Sequence, residues 1–195
     1  MGVRAVRAQR AFTLIEMLVV IVIAGIVLTL AAPSFRDMFR MQRLRSINAQ
    51  LVTDLQFARS EAVARNANVR VNFRTNAAMT CYSIFTANGT DAACNCLATP
   101  ACAAGGLTEV RSVRVPVDSE VRVVRGAGMP IEFAFDSITL GLWQNTGDSG
   151  PPSVLTYMIN TSINSSLSLR TQINLGGRPT VCAPAGSIVQ VTSCS

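Results

Sequence analysis

The sequence predicts an α+β fold: a long N-terminal helix, then an antiparallel β-sheet domain packed on the exposed half of that helix. The apolar run from Phe12 to Ala32 holds Glu16 as its lone charge. Behind it, Phe35, Met38, Leu44, Ile47, Leu51, Leu55, Ala58 and Ala62 recur at the spacing of one helix face. Beyond residue 68 the pattern changes to short apolar/polar alternations separated by Gly, Pro, Asn and Asp clusters, which read as strands and turns.

Residues 1–11 are short, basic and free of acids, with Arg4, Arg7 and Arg10. Residues 12–32 form the expected membrane-spanning helix, because a helix of that length rises about 31 Å, enough for a bilayer core. A carboxylate inside such a run costs on the order of a few kcal/mol, so Glu16 needs a partner or a function. Thr13-Leu14-Ile15-Glu16 also has the form of a capping box, with Thr at the N-cap and Glu at N3. An ordinary secretory signal would have a shorter apolar core without a Glu, and Leu30-Ala31-Ala32 is a poor cleavage site for one.

Residues 33–67 are the amphipathic half of the helix. Pro33 is expected to bend it, since proline removes a backbone donor. Glu61 and Arg65 form an i,i+4 pair in the favourable order, and Asn66-Ala67-Asn68 is the expected end. The two halves together make a rod of about 80 Å. Arg36, Arg40, Arg43 and Arg45 follow the membrane run and read as headgroup contacts that snorkel, rather than as a nucleic-acid patch. They outnumber the leader arginines, so a positive-inside count does not set the orientation.

Residues 68–195 make the β domain. The candidate strands are Val69–Phe73, Val113–Val115, Val121–Val123, Ile131–Phe135, Leu155–Ile159, Ser166–Leu169 and Ile173–Leu175. Turns are expected at Gly126–Pro130 and Asn145–Pro152. A chain of 195 residues allows one modest domain beyond the membrane segment.

Composition excludes much chemistry. The basic residues are all arginine, and the chain has neither lysine nor histidine. Without residues 1–11 the formal charge of +6 falls to +3, too mild to argue for nucleic acid by itself. Ser-His and Cys-His nucleophile pairs, histidine metal sites, Ser-Lys dyads and Schiff bases are all impossible. Acid–base catalysis would fall to Asp118/Glu120 or Glu132/Asp136, which in strands would share a face about 7 and 13 Å apart. Nothing else marks a cleft at either pair. These carboxylates read as loop and strand-edge charges, and neither an enzymatic activity nor a cofactor is expected.

The string Arg10-Ala11-Phe12-Thr13-Leu14-Ile15-Glu16, after its basic leader, resembles the class III signal of type IV pilins and type II secretion pseudopilins. The family usually has Gly where this chain has Ala11. The resemblance implies a prepilin peptidase that cuts between Ala11 and Phe12 and methylation of the new Phe12 amine. It implies that Glu16 meets the N-terminal amine of a neighbouring subunit. It also implies a pilin-like fold, a single pass through the bacterial inner membrane with the C-terminal domain in the periplasm, and other pilins or pseudopilins as partners. Leu44 through Val71, with Leu55-Gln56-Phe57-Ala58-Arg59-Ser60-Glu61-Ala62, is similar to the GspH/FimT branch of minor pseudopilins and minor pilins. Gly176-Gly177-Arg178-Pro179-Thr180-Val181-Cys182 resembles the C-terminal glycine-arginine hairpin of that branch. DNA-uptake members carry a second arginine where this chain has Thr180. Arg178 and Arg170 are therefore the candidates for a weak DNA contact.

Six cysteines in an exported domain read as disulfides. The family resemblance implies a Cys182–Cys194 bond. Cys94 and Cys96 are too close for an easy bond, which leaves Cys81 with either of them and Cys102 with the other. Zinc held by these four cysteines is the alternative, although C-x-C spacing is less usual for it than C-x-x-C. Residues 81–102 are then expected to be a stapled surface loop. The whole reads as a structural subunit acting in filament assembly or priming and protein secretion. A DNA-binding minor pilin for natural transformation is the alternative.

Overall fold

The structure, a computed structural model, describes residues 13–88, 93–103, 105–143 and 155–194, with the backbone alone at 30–34. Two compact units divide the chain, Met1–Phe39 and Arg40–Ser195. One helix, α1 (Leu14–Arg65, 52 residues), contributes to both, and its helical assignment runs unbroken through Pro33. Thr13 opens it: its Oγ1 accepts the Glu16 N–H at 3.3 Å, the N-cap half of the capping box. Asn66, at φ 46°, closes it, and the Ala67 N–H returns to the Ala62 carbonyl. Glu61 and Arg65 form their pair at 2.6 Å.

In the first unit the described side chains from Leu14 to Leu28 are exposed on every face of the helix. Among the described residues no helix is long and apolar enough to cross a membrane. The expected span of 12–32 includes residue 12 and the side chains of 30–32, which lie outside that description.

Among its described residues the second unit has nine strands. They are β1 (Val69–Thr75), β2 (Met79–Ala87), β3 (Leu107–Pro116), β4 (Arg122–Arg125), β5 (Glu132–Phe135), β6 (Leu142–Trp143), β7 (Thr156–Ser162), β8 (Ser168–Asn174) and β9 (Pro179–Cys182). All named pairings are antiparallel, in one sheet ordered β3-β2-β1-β5-β6 and a second ordered β4-β7-β8-β9. Leu44, Leu51, Leu55, Ala58 and Ala62 of α1 are fully buried in one core with Val71, Phe73, Tyr82 and Ile84 of the first sheet and Tyr157, Ile159 and Ile173 of the second. The Phe133 and Tyr157 rings meet across the sheets at 4.4 Å.

The expected α+β arrangement is present, with three local corrections, and the loop reading of Asp118 and Glu120 agrees with their places. Phe35 and Met38, placed on the apolar stripe, are each 55% exposed, and the buried stripe begins at Leu44. Residues 79–87, expected within and beside a surface loop, are the buried strand β2. One face of β2 meets the core through Tyr82 and Ile84. The other lies under residues 93–103, tied down through Cys81–Cys96, so both faces are covered and hydropathy does not alternate. The candidate strands Ser166–Leu169 and Ile173–Leu175 both overlap one strand, β8, which runs Ser168–Asn174. The interruption is Thr171, which is buried and donates its hydroxyl to Asn48 Oδ1 of α1 at 3.1 Å. Asp118 stands in a 3-10 turn, Val117–Ser119, and Glu120 follows at φ 61°, so neither belongs to a strand.

A second buried polar contact ties α1 to the first sheet. Asp54 Oδ2 accepts the Tyr82 hydroxyl at 2.6 Å, and Arg111 of β3 reaches Oδ1 at 3.0 Å. Burial and the bond to Asp54 together push the Tyr82 pKa up. Tyr82→Phe leaves Asp54 its Arg111 partner, so the expected loss is about 1–2 kcal/mol. It should appear as a lower urea midpoint at unchanged slope, and an unchanged midpoint would show that the bond contributes nothing net.

Candidate functional site

The assembly determinants expected from the sequence begin at Ala11 and Phe12, which lie outside the described residues. Glu16 is described and exposed, one turn into α1. Among the described residues its carboxylate has no hydrogen-bond or ion-pair partner. Leu14, Ile15, Met17, Leu18, Val19 and Val20 around it are exposed as well. A helix that is apolar on every face is stable only in an apolar surrounding, and a carboxylate in that surrounding needs a cation.

The arginines that follow divide by role. Arg36 and Arg45 are exposed. Arg40 forks onto Glu120, with Nε to Oε2 and Nη2 to Oε1 each at 3.0 Å. Arg43 Nη1 donates to the Ser119 carbonyl at 3.1 Å. Both therefore fasten the 117–120 turn to the helix, a role the headgroup reading had not given them. The hydrogen bond from Arg40, then its charge, holds the Glu120 carboxyl below its usual range.

The other candidate carboxylates also have structural partners. Glu132 is paired with Arg70, which lies over the Phe85 ring at 5.2 Å. Burial raises the Glu132 pKa, and the Arg70 hydrogen bond and charge oppose that rise. Asp136 closes its own turn by accepting the Thr139 N–H at 2.7 Å, the main cause of its lowered pKa. Neither carboxylate faces the other as an acid–base pair would.

The cysteines pair as Cys81–Cys96, Cys94–Cys102 and Cys182–Cys194. The four thiolates that a zinc site would need are consumed in the first two bonds. Residues 93–103 are not a free surface loop. Cys94 and Cys96 are fully buried, Asn72 Nδ2 donates to the Cys94 carbonyl, and Arg114 Nε donates to the Cys96 carbonyl at 2.7 Å. The segment covers the outer face of the first sheet.

The glycine-arginine turn leaves Arg178 exposed, with its N–H on Asn174 Oδ1 at 3.2 Å. Arg170 is half-buried on β8 and donates Nε to Asn160 Oδ1 at 3.1 Å. Arg170 faces Cys182 and Ile173 faces Pro179, so the turn carrying Arg178 starts about 10 Å further along the ladder. The two arginines are not brought together.

Sequence reasoning missed what holds this turn in place. Arg59, inside the Ala58-Arg59-Ser60-Glu61-Ala62 string, donates Nε to the Leu140 carbonyl at 3.0 Å. Gly177, at φ +69°, passes so close to that oxygen that a Cβ would stand 2.2 Å from it. Helix, β5–β6 turn and β8–β9 turn thus meet at one carbonyl. The only sequence signal for this was the glycine itself. Gly177→Ala should cost at least about 2 kcal/mol, from left-handed strain and the clash together. Gly176→Ala, whose Cβ meets nothing closer than 3.4 Å, is the control and should cost under about 1 kcal/mol. Equal denaturation midpoints for the two variants would refute the close-approach account.

Comparison with known families is consistent with these motifs. Residues 6–32 match the prokaryotic N-terminal methylation motif, and residues 48–177 match the type II transport protein GspH. No curated protein and no solved structure matches the chain.

Proposed function

The chain belongs to the GspH family of type II transport proteins, a minor pseudopilin or pilin by family and methylation motif, and we propose that it is a structural subunit near the tip of a periplasm-spanning filament. The observation that carries this reading is Glu16, a carboxylate with no partner among the described residues, on the stretch of α1 from Leu14 to Leu28 whose apolar side chains are exposed on all faces. Residues 12–32 anchor the chain in the inner membrane, and the β domain stands in the periplasm. A prepilin peptidase cuts between Ala11 and Phe12 and the new amine is methylated. On assembly the anchors pack side by side, and Glu16 neutralises the Phe12 amine of a neighbour. The β domain then caps or primes the filament, either a type IV pilus or a type II secretion pseudopilus. No catalysis is assigned.

Intact-mass analysis of protein made with a prepilin peptidase tests the processing step. The chain should begin at methylated Phe12. Retention of residues 1–11, or a cut after Ala32, would count against the reading. Glu16→Ala tests assembly. The β domain should stay folded while incorporation into filaments drops, because the neighbour's amine loses its counter-charge in an apolar surrounding. Wild-type incorporation by this variant would reduce Glu16 to a helix-cap residue.

A second reading is a DNA-binding minor pilin. It is favoured by the exposure of Arg178 on its glycine turn and by the absence of Asp and Glu from residues 155–195. With Thr180 in place of a second arginine, the phosphate contacts are few, so binding should be weak and mostly lost at physiological salt. Gel-shift titration of the detergent-solubilised chain with duplex DNA at two salt concentrations measures this. Tight, salt-resistant binding abolished by Arg178→Ala would put the DNA reading first.

A further inference from the structure

One surface of the β domain has features that the filament reading leaves unused. Between the end of β1 and the edge strand β4 lies a cavity of about 50 Å³, lined by Phe73, Arg74, Thr75, Val123, Val124 and Arg125. Its floor is apolar, since Phe73 and Val123 are buried side chains of the core. Its rim is basic, since Arg74 and Arg125 are both exposed. Arg74 has no hydrogen-bond or ion-pair partner among the described residues. Arg125 spends one nitrogen, Nη1, on the Met129 carbonyl and keeps its other donors. Neither β1 nor β4 contains an acidic residue. Glu132, whose field reaches Arg74, is already held by Arg70.

The backbone around the cavity is open in part. The Gly126 N–H donates to the Met158 carbonyl, so alternate residues of β4 face β7. Val123 and Arg125 therefore turn their backbone groups to the other edge, where the Val123 N–H meets Thr80 Oγ1 at 3.0 Å. On β1 the Phe73 N–H donates to the Ile131 carbonyl, and the pairing with β5 ends at Asn72. Thr75, two residues on, faces the same way with no strand beside it among the described residues. The Arg125 backbone on β4 and the Thr75 backbone on β1 thus flank one basic-rimmed, apolar-floored slot.

We infer that this slot docks an extended, acidic segment of a partner protein. An edge strand offers N–H and C=O groups that a peptide backbone matches and a nucleic-acid strand does not. The two arginines match carboxylates placed on that segment. The cavity takes the end of one alkyl side chain and falls well short of the about 300 Å³ usual for a small-molecule site. The inference is independent of the filament reading and uses none of the residues assigned to assembly or to DNA.

The test is fluorescence anisotropy with the full chain in detergent micelles. The probes are a labelled peptide of alternating Val and Glu, its Val/Gln counterpart and a duplex DNA. The Glu peptide should bind at least tenfold more tightly than the Gln peptide. Arg74→Gln and Arg125→Gln, singly and together, should weaken it, the double variant by at least tenfold, with the cooperative thermal melt retained because both side chains are exposed and Arg125 gives up one bond, to the Met129 carbonyl. Arg178→Ala should bind the peptide as the wild type does. Thr75→Pro removes a backbone donor without changing charge, and weaker binding by this variant supports strand pairing. Absence of peptide binding, equal binding of the Glu and Gln peptides, or wild-type binding by the double arginine variant would overturn the inference. Arg74- and Arg125-dependent binding of DNA in preference to peptide would reassign the slot to nucleic acid.

Discussion

The face of α1 from Leu44 to Ala62 is sealed against both sheets, and two polar side chains are buried with it. Asn48 faces the second sheet and takes the Thr171 hydroxyl, while Asp54 faces the first and takes the Tyr82 hydroxyl. Apolar burial provides most of the attraction but little register, because Leu and Ala tolerate small slides along a sheet. A buried donor or acceptor left unmatched costs about 1–3 kcal/mol, so each polar contact penalises a slide that the apolar contacts would tolerate. The helix is thereby held to both sheets at defined positions, and the remainder of the domain depends on that seat.

From that seat the surface devices follow. Arg59 projects from the same stretch of helix to the Leu140 carbonyl, and Gly177 closes on it from the β8–β9 turn. The exposed Arg178 is carried on this joint, so a residue offered to solvent rests on a contact that needs glycine. Nearer the start of the unit, Arg40 and Arg43 hold the 117–120 turn in the same manner. Arginine suits both places, since its fork satisfies a carboxylate bidentately and its reach lets it cap a backbone carbonyl on another element.

The disulfides act on the other side of the first sheet. Cys81–Cys96 and Cys94–Cys102 draw residues 93–103 over β1 and β2 and bury Asn72 beneath them. A central strand covered on both faces needs no hydropathic alternation. This arrangement lets polar residues occupy β2, and it also hides that strand from pattern reading.

The sequence alone established the elements whose signal is local and periodic. These are the apolar run with its single Glu16, the amphipathic stripe of α1, the helix end at Asn66, and the alternating strands β1, β5 and β7. With Cys182–Cys194 implied by the family resemblance, spacing left two disulfide pairings for Cys81, Cys94, Cys96 and Cys102. Periodicity reports which faces meet apolar surroundings, and a helix or an outer strand has one such face. What it could not report was decided by contacts between residues far apart in the chain. Tyr82 with Asp54, Thr171 with Asn48, Glu120 with Arg40, and Gly177 with Leu140 are each pairings that no local window contains. Their polar members read as loop or surface residues by composition. Only the folded sheets and helix bring a partner to each, and it is the partner that makes burial of a hydroxyl or a carboxylate stable.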